Sequence, residues 1–453
     1  MCIWPACIWA QYQSPKDTLV VRSISQWQDC KFGLFMHWGP YSQWGVAESW
    51  TICPDDWVKR SGQYSADYFG YKKAYEHLPA TFNPAAFNPA KWAAAAREAG
   101  MRYVVFTTKH HDGFCMFNTG QTDYKITSPA VPFSSDPRSN ITKEVFDAFR
   151  KDSFLIGAYF SKPDWHSEYF WWPYFPPKDH NVNYSTTKNP DRWQKFRDFT
   201  YNQIEELMTG YGKVDILWLD GGWVRPSSKA GDPYEMDIHM DRITDMARKH
   251  QPGLIVVDRT VGGEFENYLT PEQEVPDKPL SYPWETCMTM GTSWSYSPDD
   301  KYKSVHDLLV LLVKIVSRGG NFLLNVGPNG NGDWDPVVYQ RLKGIGEWMK
   351  INGEGIYGTT PVAPYSTGNI YLTALASRKA RFAFWLSEGE DIILPAQITI
   401  PVEGLQLVRS VALLGERERL HWQVTDGRLE VKIPSSLQKR GRLKNIAVFK
   451  ISY

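Results

Sequence analysis

The chain has no surplus charge of either sign. Lys plus Arg and Asp plus Glu both total 50, so no one-signed field favours nucleic acid or an anionic membrane surface as a partner. No apolar run is long enough for a transmembrane helix. No GxGxxG follows the first strand-like segment, which counts against a dinucleotide fold, and no HxH or HExxH offers a metal site. Internal repeats and low-complexity stretches are also missing. Cysteine is sparse and unpatterned: Cys2, Cys7, Cys30, Cys53, Cys115 and Cys287 contain no CxxC, which removes zinc ribbons and dithiol redox motifs. Some of the six could pair in an exported chain. Neither a metal nor an organic cofactor is expected.

What the chain has in excess is aromatic surface. Its 453 residues include 20 Trp, 24 Tyr and 22 Phe, 15% of the total, while hydrophobic (42%) and charged (22%) contents are those of a soluble globular protein. Trp and Tyr combine a flat apolar face with a polar edge, which suits stacking on sugar rings as well as filling a core. The length allows one large domain and a smaller one. The start, "MCIWPACIWAQYQSP", is apolar but short and lacks a basic n-region; it reads either as the remnant of a signal peptide, implying a periplasmic or secreted protein, or as a disordered start.

Apolar, strand-like runs recur at 31–39, 101–111, 153–161, 213–222, 254–259 and 321–328, most of them preceded by a helical stretch. One such helix, "FNPAKWAAAAREAG", carries its own punctuation: Asn88 as cap, Pro89 at the first position and Gly100 as stop. Alternation of helices with near-continuous apolar strands implies a parallel sheet covered on both faces. Over this length it predicts an α/β fold of the (β/α)8, TIM-like barrel type. After a last helix at 335–353 the texture changes to short alternating runs separated by turns, predicting an antiparallel β-sandwich. The expected division is an N-terminal segment 1–24, a barrel 25–356 and a sandwich 357–453.

In a parallel barrel, side chains at the C-terminal strand ends converge on one mouth. Those ends give His37 and Trp38, the adjacent His110 and His111 of "TTKHHDGF", then Tyr159, Asp220, Arg259 and Asn325. Any one of them could be a cap or a satisfied core residue; the set together reads as a polar pocket. Asp220 stands out, because "DILWLDGGW" drives an apolar strand into an acid followed by two glycines that leave room for close approach. An ionised carboxylate beside an Arg suits a nucleophile, and glycoside hydrolysis then needs a second carboxyl about 5 Å away. Glu264, Glu266, Glu272, Glu274 and Glu285, in the long loop after Arg259, are all candidates on this reading.

Together "KFGLFMHWGPYS", "TTKHHDGF", "ILWLDGGW" and "RGGNFLLNVGPNGNG" resemble the retaining α-L-fucosidases of glycoside hydrolase family 29, from about residue 25 to the chain end. The resemblance implies Asp220 as nucleophile. It implies that His37, Trp38, His110, His111, Tyr159, Trp218 and Arg259 form the sugar pocket, with Glu48 and Trp50 of "AESW" also contacting the sugar. It implies Glu272 of the "TPE" segment as acid/base, with Glu285 of "PWETC" as the alternative or a helper. Trp294 of "SWSY" is implied to meet the fucose methyl group. The implied substrate is a fucosylated oligosaccharide or glycoconjugate, cleaved from its end. Neutral imidazoles both donate and accept, so they suit vicinal hydroxyls.

Three other readings stand beside this one. An α-L-galactosidase differs only by a hydroxyl at C6, and a polar residue in place of Trp294 would favour it. A catalytically silent fucose-binding protein would have lost Asp220 or every nearby Glu. A metal-dependent hydrolase would use His110 and His111 as ligands, but neighbouring strand residues rarely chelate one ion.

Overall fold

The computed structural model describes residues 12–453 except 63, 64, 406, 440 and 442. Cys2, Cys7 and most of the apolar start therefore lie outside the described residues, whereas residues 18–24 already belong to the fold. They open helix α1 (Thr18–Cys30), capped by Asp17, whose carboxylate accepts from Leu19 N at 2.8 Å. Val20, Ile24 and Trp27 on one face of α1 are buried.

Six further strands and seven helices follow the first strand in sequence: β1 (Phe32–Met36), α2 (Tyr68–Glu76), α3 (Pro89–Glu98), β2 (Tyr103–Lys109), α4 (Ile141–Lys151), β3 (Leu155–Ser161), α5 (Pro190–Gly210), β4 (Ile216–Asp220), α6 (Met240–His250), β5 (Ile255–Asp258), β6 (Glu285–Thr289), α7 (Val305–Val316), β7 (Asn321–Val326) and α8 (Pro336–Asn352). The strands form one curled, wholly parallel sheet in the order β5-β4-β3-β2-β1-β7-β6. Asn88 caps α3 as expected, accepting from Lys91 N at 3.2 Å.

The two-residue period of the strands sorts their side chains onto two faces. Leu34, Met36, Val104, Phe106, Leu217, Leu219, Phe322 and Leu324 join the core shared with the helices. Phe35, Tyr103, Val105, Tyr159, Ile216, Trp218, Val257, Cys287 and Leu323 form a separate inner core, to which α1 adds Val20, Ile24 and Trp27. Trp27 stacks on Tyr268 (ring centroids 4.0 Å, 9° between planes), and its carbonyl accepts from Asn321 Nδ2 at 2.7 Å. With both faces buried, nearly every strand position must be apolar, which explains the continuous runs.

Of the (β/α)8-type barrel expected from the sequence, the described residues show a curled parallel sheet of seven regular strands, and a full eight-strand barrel is not shown. Between the edge strands β5 and β6 runs an irregular segment at 265–273. Asn267 N donates to Val256 O on one side; Glu285 N and Cys287 N donate to Leu269 O and Pro271 O on the other. Pro271 has no N–H to give a ladder, and Gln273 sits at φ 54°, so no regular strand forms. One correction concerns Glu285. Read as a loop residue, it opens β6, a strand whose "ETCMT" is too polar and short to stand out from sequence.

The C-terminal part is two antiparallel sheets. One is built from β8 (Thr360–Thr367), β9 (Ile370–Leu375), β10 (Ala380–Ile392), β12 (Ser410–Leu413) and β15 (Leu443–Ser452); the other from β11 (Gln397–Pro401), β13 (His421–Thr425) and β14 (Arg428–Lys432). Leu372, Ala383, Phe449 and Ile451 share a core with Ile398, Ile400, Leu429 and Val431 of the smaller sheet. The alternate residues Phe382, Phe384, Ile446 and Val448 pack instead into the helix-side core. The larger sheet is thus buried on both faces, and Trp348 of α8 donates to Ile446 O at 2.9 Å.

Candidate active site

The strand parity that builds the inner core also aims side chains into the mouth above it. On β4, Ile216 and Trp218 point inward, so Asp220, two residues on, does too. The same step takes Phe35 to His37, Val257 to Arg259 and Leu323 to Asn325. A cavity of about 440 Å³ opens here, within the range of small-ligand sites, lined by His37, Glu48, Trp50, His110, His111, Tyr159, Trp218, Asp220, Arg259, Glu272 and Trp294. All of these were sequence candidates. Phe35, Ala47, Trp57, Trp223, Cys287, Thr292 and Ser293 complete the lining and were missed.

Asp220 is held from three sides. Its Oδ2 accepts from Tyr159 OH at 2.8 Å, its Oδ1 accepts from Gly221 N at 2.8 Å, and Arg259 Nη1 lies 3.2 Å from Oδ1. Burial alone pushes this carboxyl up, but the Arg259 charge, with His111 and His110, more than offsets that and holds it well below the usual carboxylate range. Gly221 (φ 87°) has no room for a side chain, since a Cβ would meet Pro163. Arg259 is free for this task because its neighbour Asp258 is taken by Lys162. The same guanidinium bonds Glu272 through Nη2 and Thr270 Oγ1 through Nε, so two carboxylates sit on the two terminal nitrogens of one arginine. Asp220, paired with that cation from below, is set to stay ionised; Glu272, with its side chain 41% exposed, faces the opening.

The histidine pair follows an irregularity in β2. Its register against β3 shifts between Thr107 and Lys109, and the backbone leaves the pleat just before residue 110. Both rings consequently face the cavity, 4.4 Å apart between centroids. Gly113 (φ 80°) turns the chain away, and Asp112 is anchored by Tyr75 OH at 2.7 Å. Burial lowers His37 and His111 to about 4 and His110 well below its ordinary value, so all three are neutral near pH 7. Donor atoms of His110, His111 and Asp220 lie within 4.8 Å of one another, a grouping of possible metal ligands that strand alternation gave no reason to expect. Arg259 already supplies a positive charge to Asp220 at that spot.

Of the residues that the family resemblance implied, two lie elsewhere; Asn325, Glu264, Glu266 and Glu274 are also outside the lining. Trp38 follows the inward-pointing His37 and so faces away; it is buried among Phe82, Phe87 and Trp92, with Nε1 on Asn329 O. Glu285 sits below the pocket floor, fully buried, accepting from Tyr103 OH at 2.6 Å and from Trp218 Nε1 at 3.3 Å. It does not line the cavity, and its carboxylate is bonded to two residues of the inner core, Tyr103 and Trp218. Glu48 does line the cavity. Burial pushes its carboxyl up to about 7, its own backbone N–H opposes this, and the charges of Glu272 and Asp220 raise it further.

Among the described residues all four cysteines are free and no helix is long and apolar enough to cross a membrane. A family model described as alpha-L-fucosidase matches residues 7–354. The chain is similar to the tissue alpha-L-fucosidase of Mus musculus, 29% identical over 82% of this chain and 81% of that one. It is also similar to an alpha-L-fucosidase of Dictyostelium discoideum, 27% identical over 85% and 82% of the two chains. Among solved structures, alpha-L-fucosidase isoenzyme 1 from Paenibacillus thiaminolyticus superposes with a TM-score of 0.77, covering 96% of this chain and 99% of that one at 27% identity.

Proposed function

The chain belongs to the alpha-L-fucosidase family, and from that premise we propose that it releases terminal α-L-fucose with retained configuration, using Asp220 as nucleophile and Glu272 as acid and then base. One observation carries the assignment: a single guanidinium, Arg259, holds both carboxylates. Two carboxyls sharing one small group suit the ~5 Å spacing of a retaining pair better than the ~6.5–9.5 Å an inverting pair needs to admit water.

The first step forms a bond between Asp220 and the anomeric carbon while the glycosidic oxygen leaves with a proton from Glu272. For this Glu272 has to leave Arg259 and take up a proton as sugar fills the space between them. In the second step Glu272 takes a proton from water, the water oxygen bonds the anomeric carbon, and Asp220 departs. Tyr159 and Gly221 N keep the attacking carboxylate oriented throughout. Phe35, Cys287 and Trp294 give the pocket an apolar wall suited to a methyl group, which favours a 6-deoxy sugar over L-galactose.

Beyond the pocket, the leaving group meets a rim of aromatics. Trp57, 62% exposed, packs on Trp50 at 5.1 Å between centroids, and both line the cavity. We read it as a stacking platform for a leaving-group sugar. Glu48 is a second reading for the acid, because burial favours its protonated form near neutral pH. An exported location rests on the apolar start of the sequence; mass spectrometry of protein from its native cell, finding residues 1–10 still attached, overturns it.

The test is kinetics on aryl and natural α-L-fucosides with azide added. Glu272→Ala should lose most activity on natural glycosides, retain more on activated aryl fucosides, and be rescued by azide. If azide instead rescues Glu48→Ala while Glu272→Ala stays near wild type, the acid/base role moves to Glu48.

A further inference from the structure

Each pocket histidine has one ring nitrogen facing the cavity and the other tied to a neutral side chain behind it. Those ties differ in hydrogen-bond polarity. Asn325 Nδ2 donates to Trp294 O at 2.7 Å, a contact only an N–H can make, and this fixes the amide so that Oδ1 faces His37 Nδ1 at 2.7 Å. His37 must therefore carry its proton on Nδ1, leaving Nε2 a bare acceptor. Ser161 Oγ donates its single proton to Pro163 O at 2.6 Å, so towards His111 Nδ1, also at 2.6 Å, it can only accept. His111 too is protonated on Nδ1, with a bare Nε2 that lies 3.7 Å from Asp220 Oδ2.

His110 is wired the other way. Ser49 Oγ accepts from Asp112 N at 2.9 Å and still has its own proton to give, and His110 Nδ1 lies 2.6 Å away. The Asp112 carboxylate also competes for this proton, but it already takes Tyr75 OH and Phe114 N, and the 2.6 Å contact to His110 assigns the proton to the imidazole. With Nδ1 accepting, neutral His110 carries its proton on Nε2 and is a donor.

We propose that Asn325, Ser161 and Ser49 act as positioning residues that lock the three histidines in unlike tautomers, so that the pocket offers two imidazole acceptors and one imidazole donor to three sugar hydroxyls. This rests on the fucosidase reading for the identity of the ligand, but the tautomers themselves follow from the free protein. The consequence is polar specificity without charge: hydroxyls meeting His37 and His111 must donate, and the one meeting His110 must accept. A group that only accepts, such as fluorine, fits just one of the three places. The wiring also means that His110 cannot ligate a cation through Nε2 unless Ser49 turns away.

The experiment is 15N NMR of the full chain labelled at histidine, with peaks assigned by single substitutions of His37, His110 and His111. Pyridine-type shifts are expected for Nε2 of His37 and His111, and for Nδ1 of His110. The same tautomer on His110 and His111 overturns the proposal. Ser161→Ala should move His111 towards the other tautomer and lower kcat/KM about tenfold, with Ser161→Thr restoring both; an unmoved His111 signal overturns the role of Ser161. Should the Ala variant not fold, inhibition of the wild-type enzyme by deoxy and fluoro-deoxy L-fucose decides. At one ring hydroxyl fluorine should keep part of the affinity that deletion loses, and at two it should keep none; equal tolerance at all positions overturns the proposal. Failure of the wild type to turn over any α-L-fucoside strikes the functional reading instead and leaves the tautomers standing.

Discussion

Asp220, part-buried, and Glu285, fully buried, are both carboxyls on the inner face of one sheet, yet they are held in opposite states. Burial pushes both upward. Glu285 ends near 7, because its partners Tyr103 and Trp218 are neutral donors that only partly oppose burial. Asp220 ends well below the usual range, because its partner carries a full charge. At an effective dielectric near 20, a unit charge about 4 Å away is worth roughly 4 kcal/mol, about three pK units, whereas a neutral hydrogen bond is worth about 1 kcal/mol. The floor of the pocket thus carries a carboxyl that is easily kept as an acid, and its mouth carries one that is always a base. What separates them is one arginine.

Substitutions that erase this difference should act in a graded order. Asp220→Asn makes the mouth as neutral as the floor and should lower kcat on aryl α-L-fucosides about 10⁴-fold or more, measured in single-turnover assays; residual rates within tenfold of wild type remove Asp220 from the mechanism. Arg259→Met keeps the carboxylate but withdraws its cation. A loss of about 10³-fold in kcat/KM is expected, together with an acid limb of the pH–rate profile that moves to higher pH as Asp220 loses the charge holding it down.

Glu285→Gln should barely touch turnover but change how stability depends on pH. The native chain holds the Glu285 proton up to about 7, while the unfolded chain releases it near its ordinary value of 4.5. Between those two pH values the folded state binds more protons, so this residue's contribution to stability falls as pH rises. Thermal unfolding should therefore show the variant gaining on wild type between pH 5 and pH 8; parallel curves would mean that Glu285 is ionised throughout. Trp57→Ala, the mildest, should raise KM several-fold for oligosaccharides and change small aryl fucosides much less, since Trp57 stands at the exposed rim of the cavity rather than at its floor.

Most of this arrangement was legible wherever the chain obeys a period. Asp220, Arg259 and His37 could be read because a strand that ends in a polar residue of inward parity must deliver it to the mouth. The same rule, applied strictly, excludes Trp38 and brings in Phe35 and Cys287, each two residues from an inward neighbour. The seven-strand count was hidden by composition: "ETCMT" is polar because its inner side chains serve the pocket and its floor, and Pro271 breaks the run beside it. Trp57 and Trp223 come from loops, where no period exists to place them. Ser49 and Ser161 left no signal either, because their role lies in where a proton goes, which depends on contacts between residues 50 and 61 positions apart in the chain.

Helix α1 has an implication for the order in which the molecule is made. Its apolar face is the first part of the core to leave the ribosome, but the ring that stacks on Trp27 belongs to Tyr268, and the side chain that bonds its carbonyl belongs to Asn321. Through most of translation this helix has a greasy side and no seat. A nascent chain stalled before β7 should therefore bind chaperones through residues 18–30, and be released only when β7, the last strand of the parallel sheet in sequence, arrives.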